Sequence, residues 1–228
     1  MTAPPLQDPT LRLLERAENY NAWLLDRARP YLGRRVLDFG AGIGTFSEAL
    51  ADLTDELTIV EVDPEFAEHL RGRLARHPGA HVVEAADIQP QSLDAIVCFN
   101  VLEHIPDHAA TLAQLRELLA PGGHLLLLVP GHDWLFGGID RAVAHVRRYG
   151  RDELGDLLRE TRFEIVELRR VNPIGALGWL VWSRLLGRKT LPRRSTLAYD
   201  RLVPAFRALD RVELPVGLSV WSVARRGK

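Results

Sequence analysis

Three carboxylates stand where three successive apolar segments end: Asp38 in Val36-Leu37-Asp38-Phe39, Glu61 in Ile59-Val60-Glu61 and Asp87 in Ala85-Ala86-Asp87. Between the first two lies Gly40-Ala41-Gly42-Ile43-Gly44, with glycine at alternate positions, and Thr45-Phe46-Ser47 then opens a helical pattern. Glycine accepts positive φ and, having no Cβ, lets the backbone approach a ligand closely. The segment therefore reads as a cofactor turn at the carboxyl end of a strand. An acid two residues before the first glycine selects the ligand further, because it favours a cation beside the turn and repels a pyrophosphate.

A dinucleotide site uses Gly-x-Gly-x-x-Gly and places the pyrophosphate at the helix N-terminus. Here a glycine breaks that spacing and Thr45 fills the last position. S-adenosylmethionine brings no phosphate but carries an α-ammonium and a sulfonium, both suited to Asp38. Glu61 is the expected ribose ligand, since a carboxylate at that point accepts from a vicinal diol, with Val62 beside it. Asp63 precedes Pro64 and reads instead as a helix cap. Asp87, with Ile88, is placed to accept from the adenine amino group, or else is a loop or cap acid.

These acids need a frame that brings three strand ends to one edge. Strand-like runs at Arg35–Phe39, Leu57–Glu61, His81–Ala85, Ala95–Phe99 and 123–129 alternate with helical patterns at 46–51, 65–76 and 108–119. Such alternation predicts an α/β fold, a doubly wound parallel sheet covered on both faces. Apolar residues from Leu11 to Ala28 recur at helical spacing and stop at Pro30, which predicts an N-terminal helical lead-in over 1–33. Two further strands, 163–171 and 218–224, flank a helical insertion at 172–214.

The 228 residues fit one domain with decoration, and the formal charge of −1 gives no argument for a nucleic-acid partner. The balance is uneven: residues 171–228 carry +8 and residues 1–170 carry −9. Cys98 is the only cysteine, which excludes an intramolecular disulfide and any multi-cysteine metal site and suits a cytoplasmic setting. No secretory leader is expected at the N-terminus. No uninterrupted apolar run approaches the ~20 residues of a spanning helix.

Taken together, Asp38 to Gly44, Glu61, Asp87, the segment Phe99-Asn100-Val101-Leu102-Glu103-His104-Ile105-Pro106-Asp107 and Pro121-Gly122-Gly123 resemble the motifs of the class I S-adenosylmethionine-dependent methyltransferase superfamily. The resemblance implies a Rossmann-like seven-stranded sheet of order 3-2-1-4-5-7-6 with the last strand antiparallel. It implies that Asn100, Val101 and His104 border the methionine end of the cofactor. Within the superfamily, Asp140-Arg141 followed by His145-x-Arg147-Arg148-Tyr149 resembles a less characterised subgroup.

Methyl transfer is an in-line displacement in which the cofactor carries the activation, so alignment is the main demand on the protein. A hydroxyl acceptor would add the need for a base, and His145 is the first candidate, ahead of His132 and His104. Arg148 and Tyr149 complete the candidate catalytic set. Arg147-Arg148-Tyr149 either meets an anionic acceptor or pairs with Asp152 and Glu153. Tyr20 is placed to close over the cofactor, and Trp23 is expected in the core.

The stretch 174–194 combines Trp179 and Trp182 with a basic end, which suits a membrane interface and a lipid-linked acceptor. A lid over the active site and a dimer contact are the alternatives, in a monomer or a homodimer. Two rival functions are open: a nucleoside-binding or membrane-recruitment module without turnover, and an NAD-dependent epimerase or dehydrogenase. The latter is disfavoured by Asp38, by Thr45 and by the absence of a Tyr-x-x-x-Lys pair.

Overall fold

The computed structural model describes residues 9–207, 212 and 214–227. Seven strands, β1 (Arg35–Phe39), β2 (Glu56–Val60), β3 (Ala80–Val82), β4 (Leu93–Phe99), β5 (Leu119–Pro130), β6 (Phe163–Val171) and β7 (Ser219–Arg226), form one sheet of order β3-β2-β1-β4-β5-β7-β6. The β1, β2, β3, β4 and β5 pairings are parallel, while β7 runs antiparallel to both β5 and β6. The expected order is therefore the observed one.

Period-two geometry explains why the central strands are apolar throughout. Val36, Ala95, Val97, Leu126 and Leu128 join one buried cluster, whereas Leu37, Ile96, Cys98, Leu125 and Leu127 join the other on the opposite face. A strand covered on both faces has no solvent side to mark with polar residues. Burial also pushes the Cys98 thiol well above its ordinary pKa, so it behaves as a small apolar side chain.

Helices α1 (Pro9–Glu15) and α2 (Glu18–Ala28) lead in, α3 (Ser47–Leu53) and α4 (Pro64–Arg73) follow β1 and β2, and α5 (His108–Leu118) follows β4. Asp63 caps α4 by accepting from the Glu65 and Phe66 amides. The third strand is shorter than expected, because residues 85–87 turn as a 3-10 helix. The fifth is longer: it begins at Leu119, and an irregularity in its pairing with β4 absorbs Pro121-Gly122-Gly123. After β5 come α6 (Gly138–Ala142) and α7 (Arg151–Glu160).

The insertion between β6 and β7 holds α8 (Pro173–Trp179), a π-helical continuation at Leu180–Leu185, and α9 (Arg193–Phe206). Residues 208–211 and 213 of the expected insertion and residues 1–8 of the expected lead-in lie outside the described residues. Asn172, left-handed at φ 62°, turns the chain off β6 and accepts from the Gly175 amide at 2.7 Å and the Tyr199 hydroxyl at 2.7 Å. Asp200 on α9 is buried and accepts from the Asn19 amide (3.2 Å), the Asn19 side chain (3.1 Å) and the Tyr20 amide (2.9 Å). One carboxylate thus satisfies amides left without helical partners at the start of α2 and ties the insertion to the lead-in.

Asp200→Ala removes all three part-buried hydrogen bonds, so chemical denaturation should show a loss of about 2 kcal/mol. Limited proteolysis of the same variant should cut 186–195 faster than in the wild type. Unchanged stability and cleavage would remove this tie from the account.

Candidate functional site

The glycine turn sits between β1 and α3 and is held from three sides. Gly40, Gly42 and Gly44 have φ of 72°, 56° and 83°. A Cβ on Gly40 would lie 2.7 Å from both Val101 methyl carbons, so only glycine lets the β1 and β4 ends close together. The Gly42 amide donates to Glu61 Oε2 at 2.7 Å, and the Asp63 amide donates to Oε1 at 3.0 Å. From outside, Arg73 Nη1 donates to the Ile43 carbonyl at 3.0 Å while its guanidinium also pairs with Glu15 and Glu48.

Asp38 lies beneath the turn, buried, and accepts from the Ser47 hydroxyl at 2.7 Å. Burial pushes its pKa up to about 6 against the lowering effect of that hydrogen bond, and the nearby Glu61 charge adds to the rise. Phe46, from the same turn, meets Phe99 edge-on at 5.2 Å. Ala41, Phe46 and Tyr20 all pack against the cluster that contains Trp23 and Trp221.

The structure brings Asp38, Gly40, Ala41, Gly42, Gly44 and Glu61 into one edge of the sheet. Val62 is 91% exposed beside Glu61. Asp87 is exposed in its 3-10 turn and Ile88 is half-buried against the second cluster. Asn100 is exposed, in the left-handed region at φ 55°, and its amide is fixed to the Leu128 carbonyl at 2.7 Å. The Tyr20 ring lies 5.5 Å from Trp23, and the Tyr20 amide is held by Asp200.

Beyond β4 a second group of side chains meets. Asp140 is fully buried and accepts from Arg148 Nε (2.8 Å), the Gly137 amide (2.8 Å) and Trp179 Nε1 (3.1 Å), and it lies 2.9 Å from His145 Nδ1. Burial alone would raise its pKa, but His145, Arg148 and the Gly137 amide hold it below the usual carboxylate range. Arg148 Nη1 donates to the Gly131 carbonyl at 2.7 Å, and its guanidinium lies 4.8 Å from the Trp179 ring centroid. Ser183 Oγ accepts from the Ile139 amide at 3.1 Å.

These contacts revise several expectations. Arg148 and Tyr149 are buried, so neither presents its polar group to an acceptor. The Tyr149 hydroxyl donates to the Leu102 carbonyl at 3.2 Å and lies 2.9 Å from His108 Nδ1. Arg148 Nε and Nη1 and the Tyr149 hydroxyl all face internal partners. Arg147 donates to the Pro106 carbonyl at 2.8 Å, while Asp152 pairs with Arg151 and Glu153 accepts from the Gly150 amide. Trp179 points inward at Asp140 rather than outward, so it is no interfacial anchor.

His145 Nε2, the nitrogen a base would use, lies 3.7 Å from Glu103 Oε1. His104 meets His145 edge-on at 4.8 Å. Burial first, and then the His145 ring, pushes the His104 pKa down to about 4. Glu103 is fully buried, and neither of its carboxylate oxygens has a hydrogen-bond partner. That burial pushes its pKa up to about 8. Glu103, Ser47 and Arg73 were not singled out from the sequence. Only the Glu103-His104 adjacency offered a signal, since 42 residues separate Glu103 from His145.

The chain matches the family described as methyltransferase domain over residues 6–168. It is 37% identical over 101 residues to a ubiquinone biosynthesis O-methyltransferase of Xanthomonas euvesicatoria pv. vesicatoria (strain 85-10), covering 42% of each chain. The match thus spans less than half the length of that relative. In fold it is similar to a putative methyltransferase from Bacillus halodurans C-125, with a TM-score of 0.64 and 17% identity over 91% of this chain and 99% of that one. It is also similar to Haemonchus contortus phosphoethanolamine N-methyltransferase 2 in complex with S-adenosyl-L-methionine, with a TM-score of 0.61 and 17% identity over 92% of this chain and 53% of that one. With the family match covering most of the chain, and the sheet order and glycine turn already described, the chain belongs to the methyltransferase domain family.

Proposed function

We propose that the protein transfers a methyl group from S-adenosylmethionine to a small or lipid-linked acceptor. The observation that carries this reading is the glycine turn clasped by Glu61 above a buried Asp38. Asp38 supplies the anionic partner for the α-ammonium and sulfonium end, and Glu61 is the acid nearest a ribose diol. Gly40, Ala41, Gly42 and Gly44 bring backbone against the cofactor. Val62, Asp87 and Ile88 border the adenine side, while Asn100, Val101 and His104 border the methionine end. Family membership and the relative's O-methyltransferase name support the reaction class, as does the S-adenosyl-L-methionine complex of the worm enzyme.

Alignment supplies most of the catalysis in such a displacement. The acceptor side is formed by 130–150, whose Asp140 and His145-x-Arg147-Arg148-Tyr149 carry the subgroup pattern. The insertion, over its described residues 172–207, covers that side as a lid, through Trp179 and Ser183. Its outward face suits an anionic bilayer: Leu177, Val181 and Leu185 recur every four residues at 63%, 46% and 69% exposure. Arg184, Arg188, Lys189, Arg193 and Arg194 are all exposed, and no acid occurs from 172 to 199. Among the described residues no helix is long and apolar enough to cross a membrane. Surface contact is the mode the composition favours.

Calorimetry should detect S-adenosylhomocysteine binding and no NAD binding; the reverse pattern would overturn the cofactor assignment. Asp38→Asn and Glu61→Gln should each weaken that binding by about tenfold. Asp38 is charged only above about pH 6. Wild-type affinity for the sulfonium-bearing S-adenosylmethionine should therefore fall as pH drops from 7 to 5, by up to about tenfold per unit. In Asp38→Asn the profile should be flatter, and an identical slope would assign the titration elsewhere.

Flotation with phosphatidylcholine vesicles, with and without phosphatidylglycerol, tests the bilayer contact. Wild type should float with the anionic vesicles only, and Leu177→Asp with Leu185→Asp should stay behind. Failure of wild type to float would end the lipid-surface reading.

A further inference from the structure

The group Glu103, His104 and His145 offers one ligand atom each, and these atoms lie within 4.8 Å of one another. Three features distinguish it from an ordinary buried polar cluster. Glu103 is inaccessible to solvent, yet both carboxylate oxygens lack hydrogen-bond partners. A buried acid normally finds donors, because leaving it without them is costly. His145 has Nδ1 committed to Asp140 at 2.9 Å, which leaves Nε2 as the nitrogen with a lone pair to give. His104 is half-buried with its ring edge-on to that of His145 at 4.8 Å between centroids, so the two imidazoles already share one site.

A histidine whose second nitrogen is fixed by a carboxylate or backbone group is the usual form of a metal-ligating histidine. The charges agree. Glu103 and Asp140 bring two carboxylates into a buried region where Arg148 is their close cationic partner. A divalent ion would replace the Glu103 proton and give its carboxylate the partner it lacks.

We propose that Glu103, His104 and His145 bind a divalent transition-metal ion, with Asp140 orienting His145 from behind. Two imidazoles and one carboxylate suit zinc, iron, cobalt or manganese better than magnesium or calcium. Ligand atoms around a tetrahedral ion stand about 3.4 Å apart, so the group closes by roughly 1 Å on loading. Three protein ligands leave a position open, and the half-buried His104 and His145 place it toward the acceptor side.

The role of that position rests on the methyl-transfer reading. An acceptor hydroxyl bound there through oxygen would release its proton to solvent more readily. The oxygen then bonds to the methyl carbon as the carbon–sulfur bond breaks, and the electron pair stays on sulfur. On this view His145 Nε2 is a ligand rather than a free base.

The test is titration of chelator-treated full-length protein with Co2+ alone, read by visible absorption, and with Zn2+ alone, read by calorimetry. One ion per chain is expected, with the intense visible bands of low-coordinate cobalt. Glu103→Gln and His145→Ala should each abolish the bands, and Asp140→Asn should weaken binding by about 10–100-fold. His104→Ala provides a further ligand deletion if either of the first two fails to fold. Circular dichroism reports folding of each variant.

Absence of a stoichiometric ion in wild type overturns the site, as does equal binding in folded ligand variants. Ion binding without homocysteine-product binding would overturn the methyl-transfer reading and leave the metal site standing.

Discussion

The 130–150 side of the molecule depends on one buried carboxylate. Asp140 is inaccessible to solvent, and a charge in that position persists only if donors surround it. They come from four places in the chain: the Gly137 amide, His145, Arg148 and Trp179. Two belong to the HxRRY segment, one to the preceding loop and one to the insertion. Satisfying a single anion therefore folds the 130–150 loop on itself and docks α8 against it. The cost of leaving any of these donors unpaired, rather than the net strength of each bond, makes the arrangement specific.

The glycine-turn side follows a different logic. There the backbone is shaped first and the charge is placed beneath it. Val101 crowds Gly40 from β4, Arg73 holds the Ile43 carbonyl, and Glu61 clasps the Gly42 amide. Asp38 is left with one hydroxyl partner and a raised pKa, poised to be completed by a cation. The two halves meet at 100–104, where β4 ends, so the same short segment borders the turn on one side and the Asp140 network on the other.

The insertion shows how a surface element acquires an orientation. Ala176 and Ser183 are buried and Trp179 bonds to Asp140, which sets the inner face of α8 and its π-helical continuation. Leu177, Val181 and Leu185 must then point outward. Asp200 and Asn172 anchor α9 at its two contacts with the lead-in and with β6. The outward apolar stripe is thus a consequence of polar contacts on the other side, and exposed basic residues stand beside it.

Much of the frame was legible in the sequence, because it is specified locally. Apolar runs too uniform for a half-exposed strand marked the parallel sheet, and alternate glycines after Asp38 marked the turn. Pro64 after Asp63 marked a helix start, and Pro30 marked a helix end. These signals depend on a few neighbouring residues and on steric rules that hold in any fold. The tertiary structure decided what depends on approach across the chain. Arg148 and Tyr149 read as acceptor ligands until Asp140, Gly131 and Leu102 were seen to occupy them. Trp179 read as a membrane anchor until its indole was found on Asp140. Glu103 carried no mark of burial in its own neighbourhood, and His145, 42 positions away, became its neighbour only when the loop closed. Side-chain charge and size are written in the sequence, but which groups are desolvated together is decided by packing, and desolvation sets their chemistry.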